Sequence, residues 1–160
     1  NGYKGEEPKK FPYPIVGNCL PHIDVFLENG YTKEEIKMIE ETKKILHNNN
    51  LKITATAVSV PVLNSHSESI NIELEKPFEL EDIFNLFNNT KGITLYDDVT
   101  NIKYPTPLQV SGNDNVFLGR VRRDYSLENG LNLWVVADNI RKGAALNAVQ
   151  IAELLIRSDN

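Results

Sequence analysis

Residues 116–137 read V-F-L-G-R-V-R-R-D-Y-S-L-E-N-G-L-N-L-W-V-V-A. Two runs rich in Val, Leu and aromatic residues, 116–121 and 131–137, flank Glu128-Asn129-Gly130, a turn signal. Strands joined by so short a loop pair antiparallel. In a strand Arg120 and Arg122 share one face and Arg123 takes the other, so the three do not form a single basic patch.

Working outward, Lys52 to Val62 is rich in Thr, Val and Ile and alternates, which predicts a strand. Residues 66–74 alternate again through Ile70, Ile72 and Leu74 and predict its neighbour. Residues 93–96 predict a short strand, and 97–115, with Pro105, Pro107 and Ser111-Gly112-Asn113-Asp114, predict mostly loop. Residues 15–23 form an apolar run broken by Pro21 and predict an extended segment. Thr32 with Glu35 three residues on has the form of a capping box, so a helix should run from there to about His47, after the Asn29-Gly30 turn. Its apolar arc would be Ile36, Met38, Ile39, Ile45 and Leu46. A second helix is predicted over 79–88, with Leu80, Ile83, Phe84 and Phe87 on one face. A last helix, 142–157, would carry Ala145, Leu146, Val149, Ala152 and Leu155 or Ile156 inward. Short connections and segregated helices predict an α+β fold, a mostly antiparallel sheet with helices on one face.

Bulk properties narrow the function. The chain has 160 residues, one domain by length, with a net charge of −5. That balance argues against a nucleic-acid or anionic-membrane partner. No segment approaches the ~18 apolar residues of a membrane span. A single cysteine, Cys19, excludes an intrachain disulfide and fits a reducing compartment. The polar, proline-rich residues 1–14 read as a loop or linker, and the absence of an initiator Met fits a fragment or a processed product.

Few residues suggest chemistry by themselves. His66, inside the polar cluster that ends V-S-V-P-V-L-N-S-H-S-E-S (58–69), is either a strand-end histidine held by Ser65 or Ser67, or a general acid–base. Glu34 and Lys37, at i and i+3, are either a solvated ion pair or a clamp for a substrate bearing an ammonium and an anion. Cys19, in an apolar run with no base beside it, reads as a buried structural cysteine. His22, His47 and His66 are scattered without metal-ligand spacing. There is no G-x-G-x-x-G and no P-loop, so nothing here builds a nucleotide site alone.

Four blocks add a resemblance. P-H-I-D-V-F-L-E-N-G-Y-T-K-E-E-I-K-M (21–38), T-A-T-A-V-S-V-P-V-L-N-S-H-S-E-S (54–69), S-G-N-D-N-V-F-L-G-R-V-R-R-D (111–124) and W-V-V-A-D-N-I-R-K-G-A-A-L-N-A-V-Q-I-A-E (134–153) occur in this order. The chain thereby resembles bacterial aspartate-semialdehyde dehydrogenases from Pro14 to Ile156. Those enzymes join an N-terminal NADP-binding domain, which brings the nucleophilic cysteine, to a C-terminal part of the glyceraldehyde-3-phosphate-dehydrogenase-like type. The C-terminal part binds substrate and forms the homodimer. The resemblance implies that this chain is that second part: 1–14 a linker, 15–137 the substrate-binding and dimerisation domain, and 138–160 a helix packing back on the cofactor domain. It implies a cytoplasmic enzyme of lysine, threonine and methionine synthesis, with aspartyl phosphate, aspartate semialdehyde and phosphate as ligands. It casts His66 as the acid–base, Glu34 as the contact to the α-amino group and Lys37 as the contact to phosphate. Asn139 would lie near the nicotinamide; Asn147 and Gln150 follow on the last helix. Cys19 does not match the family nucleophile.

Ser59 departs from the pattern. The family carries an arginine at this position, seven residues before the histidine, as a bidentate clamp for the α-carboxylate, which serine cannot make. A variant site, rescue by another arginine, and a homologue that no longer uses aspartyl phosphate all remain open. So do two rivals to the enzyme: a non-catalytic paralogue or dimerisation module, and a related acyl-phosphate or acyl-CoA reductase with another substrate.

Overall fold

A computed structural model describes residues 10–158; residues 1–9 of the expected N-terminal loop lie outside the described residues. The chain divides into two compact units, Asn1–Pro61 and Val62–Asn160.

The first unit is built around helix α1, Lys33–Ile45. The capping box forms as its sequence requires: Glu35 N donates to Thr32 Oγ1 at 3.3 Å, and Thr32 N donates to Glu35 Oε2 at 2.8 Å. The same carboxylate reaches further, because Ala57 N donates to Glu35 Oε1 at 2.8 Å. Tyr31 and Thr54 hydroxyls meet at 3.1 Å. These side-chain bonds anchor residues 51–60, which form no ladder. Their exposure still alternates with period two, as in a strand, yet among the described residues their one backbone pairing is an isolated bridge between Ser59 and Leu20. The strand predicted at 52–62 is therefore absent, because among the described residues of this unit no second segment runs alongside to take its N–H and C=O groups. The extended segment predicted at 15–23 is interrupted too, by a turn at Val16 and Gly17 (φ 75°). Leu20, the bridging residue, is buried, whereas Cys19 beside it is exposed, correcting the buried assignment. On α1, Ile39 is buried and Ile36 half-buried, but Ile45 and Leu46 at the helix end are 72% and 60% exposed.

The second unit is a four-stranded sheet in the order β1-β4-β3-β2: β1 His66–Glu73, β2 Ile93–Leu95, β3 Val116–Asp124 and β4 Gly130–Ala137. β3 and β4 form the predicted antiparallel hairpin. β1 pairs antiparallel with β4, His66 opposite Ala137, and not with the preceding segment as the sequence suggested. β2 joins the edge parallel to β3. Helix α2, Leu80–Asn89, lays Leu80, Ile83, Phe84 and Phe87 on Val121, Leu131 and Leu133, with Ile70 and Ile72 beside them. Full burial of such side chains stabilises by roughly 1.5–3 kcal/mol each, so this layer is the main apolar core. The opposite face receives the 105–110 segment, whose one-turn helix α3, Pro107–Val110, stands where loop was expected. There Trp134 Nε1 donates to Pro105 O at 2.9 Å, and Val110 and Val136 are fully buried.

A β-bulge interrupts β3 between Gly119 and Arg122. Gly119 pairs with Trp134 and Arg122 with Asn132, so β3 spends three residues where β4 spends two. Leu118 and Val121, three apart, would otherwise face opposite sides; the extra residue brings both into the interior. Arg120 absorbs the irregularity at φ 54°, and Val121 N donates to Asp97 Oδ2 at 2.7 Å. Arg123 lies over the Phe78 ring, 4.3 Å from its centroid, while Arg120 and Arg122 line a cavity with Trp134, as the strand parity predicted.

The last helix is α4, Leu146–Ser158, preceded by a wide π-type turn, Arg141–Ala145, broken at Ala144 (φ −142°, ψ −107°). Of the residues predicted to point inward, only Leu146 is half-buried; Val149, Leu155 and Ile156 are 54%, 62% and 66% exposed, and Ala145 and Ala152 are exposed too. The amphipathic pattern is present, yet among the described residues that face stays largely exposed.

Two outcomes follow from this packing. A Cβ on Gly119 would lie 2.5 Å from Pro105 Cδ and 2.7 Å from Tyr96 O, so Gly119→Ala should destabilise by about 1–3 kcal/mol in urea unfolding; a change below about 0.5 kcal/mol would show that the approach is not close. The backbone N–H groups of Thr32 and Ala57, in that order, hold the Glu35 carboxyl below its ordinary value of 4.5. Its stabilising effect is thus complete above that value and is lost as pH falls through the depressed native one. Acid titration of unfolding should accordingly show a steeper loss below about pH 4.5 for the wild type than for Glu35→Gln; equal slopes would remove Glu35 as the cause.

Candidate active site

The end of β4 and the start of β1 meet because their register sets Ala137 opposite His66. Two residues beyond Ala137 and two before His66 then form a corner. Asp138 lies at its centre, 2% exposed. Its Oδ2 accepts from Gly112 N at 2.7 Å and from Asn64 Nδ2 at 3.3 Å, and its Oδ1 accepts from Ile140 N at 2.9 Å and Arg141 N at 3.2 Å. Gly112 turns its N–H inward at φ 85°, a conformation that glycine adopts without strain. The Gly112 N–H is the main reason the Asp138 carboxyl lies below its ordinary range; burial opposes this, and the Arg141 and Ile140 N–H groups add to it. Asn139 completes the corner: its Oδ1 accepts from Ser65 N at 2.7 Å. Ser65 is buried, sits at φ 77°, and donates from Oγ to Pro107 O at 3.4 Å. His66 follows directly and is exposed, so its ring is accessible while its backbone is fixed.

Arg141 opens the turn into α4 and bonds Asp114 through both Nε and Nη2 at 2.5 Å. The 111–114 loop is thereby tied to the same corner twice, through Gly112 and Asp114. Lys142 Nζ donates to Gln150 Oε1 at 2.7 Å, which engages one of the two helix residues the resemblance suggested.

The remaining predicted residues lie in the first unit. Glu34 and Lys37 come together on α1 at 3.8 Å, with side chains 34% and 54% exposed, a pair worth only a few tenths of a kcal/mol and free to re-form on a ligand. Ser59 is half-buried; its Oγ donates to His22 O at 3.2 Å and its backbone bridges Leu20. No hydrogen bond or ion pair described for Ser59 reaches Glu34 or Lys37. A cavity in this unit, about 330 Å³, is lined by residues that include Phe26, Tyr31, Glu35 and Thr54 and by none of the three.

Asp138 was not visible as a functional residue in the sequence, although it stands in the A-D-N run. The available signal was positional: an Asp two and three residues ahead of backbone N–H groups at a helix entrance forms an Asx-type turn. Its bonds to Gly112 and Asn64, 26 and 74 positions away, had no local signal.

A family model described as "Semialdehyde dehydrogenase, dimerisation domain" matches residues 2–142. The aspartate-semialdehyde dehydrogenase of Aquifex aeolicus is 54% identical over 154 residues, 95% of this chain and 45% of that protein. Its counterpart from Bacillus subtilis is 50% identical, over 89% of this chain and 42% of that protein. Among solved structures, aspartate semialdehyde dehydrogenase II from Vibrio cholerae, complexed with ASA, superposes with a TM-score of 0.89 at 47% identity, covering 94% of this chain and 44% of that one. The Candida albicans enzyme with NADP superposes at 0.71 with 25% identity, covering 88% of this chain and 45% of that one. The chain spans under half the length of these relatives. It belongs to the semialdehyde dehydrogenase dimerisation-domain family.

Proposed function

We propose that this chain is the substrate-binding and dimerisation part of an NADP-dependent aspartate-semialdehyde dehydrogenase, a cytoplasmic homodimer of lysine, threonine and methionine synthesis. The reaction is the reversible reductive dephosphorylation of aspartyl-β-phosphate to aspartate semialdehyde and phosphate. The observation that supports it most is the corner in which an accessible His66 is held by the residue assigned to the cofactor, through the Ser65 N–Asn139 Oδ1 bond.

Each residue has a task suited to its chemistry. His66 gives or takes the proton at the substrate carbonyl oxygen, since an imidazole ionises near neutrality. The Glu34 carboxylate accepts from the α-ammonium group, and the Lys37 ammonium donates to the phosphate; the two exchange their mutual contact for the ligand's charges. Asn139 is suited to the nicotinamide end of NADP. With Oδ1 taken by Ser65 N, the amide is oriented and its NH2 group is the end left for an acceptor. NADPH, when bound, supplies the hydride that reduces the acyl carbon. The sequence carries no G-x-G-x-x-G, so the remainder of the dinucleotide would be held outside this chain. Residues 138–160 would pack on that cofactor domain, and the exposed Val149, Ile151 and Leu154 supply an apolar surface for it.

Ser59 favours a second reading, a relative with another substrate or with none. Its hydroxyl is engaged by His22 O and offers no bidentate donor for a carboxylate.

The chain alone, lacking nucleophile and cofactor fold, should show no NADP reduction with aspartate semialdehyde and phosphate or arsenate; turnover by the isolated chain would refute this division of labour. Ser59→Arg should raise affinity for aspartate semialdehyde at least tenfold by calorimetry, on the roughly 2–5 kcal/mol scale of an unpaired charge. Unchanged affinity would undo the clamp argument and favour a different substrate.

A further inference from the structure

We infer that Asp138 is a positioning residue for His66, acting through the Asn64–Ser65 corner and not by contact with substrate. The inference rests on the proposed reading of His66 as the acid–base.

His66 is the first residue of an edge strand, and an edge strand's first residue is ordinarily free to fray. Here the two residues before it are pinned. Asn64 donates its amide to Asp138 Oδ2 at 3.3 Å, and Ser65 N donates to Asn139 Oδ1 at 2.7 Å. Ser65 adopts φ 77°, a conformation that a non-glycine residue keeps only when its surroundings impose it. The restraint comes from the 138–139 pair, which leaves the sheet on the neighbouring strand in register with His66. One carboxylate therefore fixes three chain segments around the histidine: the 64–65 corner, the 111–114 loop through Gly112 N, and the entrance to α4 through the N–H groups of Ile140 and Arg141.

An ionised carboxylate is the group this place needs. It is surrounded by donors alone, and only a carboxylate accepts on both oxygens without presenting a hydrogen. A carboxamide must turn an NH2 group toward at least one pair of those donors. Buried unsatisfied or opposed polar groups are costly, so the corner would open rather than tolerate it. The histidine ring would then leave the sheet along a different direction, while the apolar layer under α2, built on Val121, Leu131 and Leu133, would hold.

The test joins this chain to its cofactor-binding part and follows the dehydrogenase reaction. Asp138→Asn should lower kcat about 10–100-fold, the range typical of residues that orient a functional group through a second residue, with KM for aspartate semialdehyde changed less than threefold. In a His66→Asn background the same substitution should alter the residual rate less than twofold, because an effect exerted through His66 vanishes with it. A full rate in His66→Asn alone would overturn the acid–base reading and this inference together. Loss in His66→Asn, with Asp138→Asn within twofold of wild type, would overturn only the inference. An equal loss from Asp138→Asn in both backgrounds would mark a purely structural role and also overturn it. Should Asp138→Asn not fold, Asn64→Ala carries the test: a kcat loss of about 3–10-fold, absent in the His66→Asn background, supports the inference, and an unchanged kcat overturns it. On the chain itself, amide exchange at Ser65 should accelerate at least tenfold in Asp138→Asn while Leu131 and Leu133 keep their protection; unchanged exchange at Ser65 would count against it.

Discussion

The carboxylate of Asp138 is the constraint on which the second unit's functional end depends. A buried anion is tolerable only when donors replace the water it has lost, and four donors converge on this one. The requirement works in both directions. The donors come from residue 64, residue 112 and residues 140–141, so satisfying the charge brings together segments far apart in the chain. The apolar layer between α2 and the sheet supplies most of the burial, but it is indifferent to where His66 points. The polar corner sets that direction.

A similar division of labour holds the first unit. Glu35 begins as a helix-capping residue and ends as the tether for a segment with no ladder of its own, through Ala57 N. Both units use a carboxylate at a helix entrance to organise chain that regular secondary structure leaves loose. In each, the local half of the bonding follows a familiar helix-entry pattern, and the long-range half is what positions the candidate residues.

Much of the fold was legible beforehand. The capping box at Thr32, α2 with its apolar face, the β3–β4 hairpin and the α+β class follow from short-range rules: spacing, turn residues and alternation. The errors share one cause. Residues 52–60 have a strand's composition and alternate exposure, yet the described residues of their unit offer no strand to pair with. The last helix has a proper apolar face that, among the described residues, stays largely exposed. Cys19 sits in an apolar run but on the outward side of the Leu20 bridge. Local pattern reports that a surface is fit for burial; what covers it depends on partners distant in sequence.

The sequence by itself determined the family, through four ordered blocks, and singled out His66, Glu34, Lys37, Asn139 and the departure at Ser59. It determined the three longer helices and the hairpin, because capping, periodicity and turn chemistry act within a few residues. Only the tertiary structure decided that β1 lies against β4, that a bulge at Arg120 keeps both Leu118 and Val121 buried, and that Asp138 gathers the segments around His66. Those outcomes rest on hydrogen bonds and register between residues up to 74 positions apart, for which no local pattern encodes the partner.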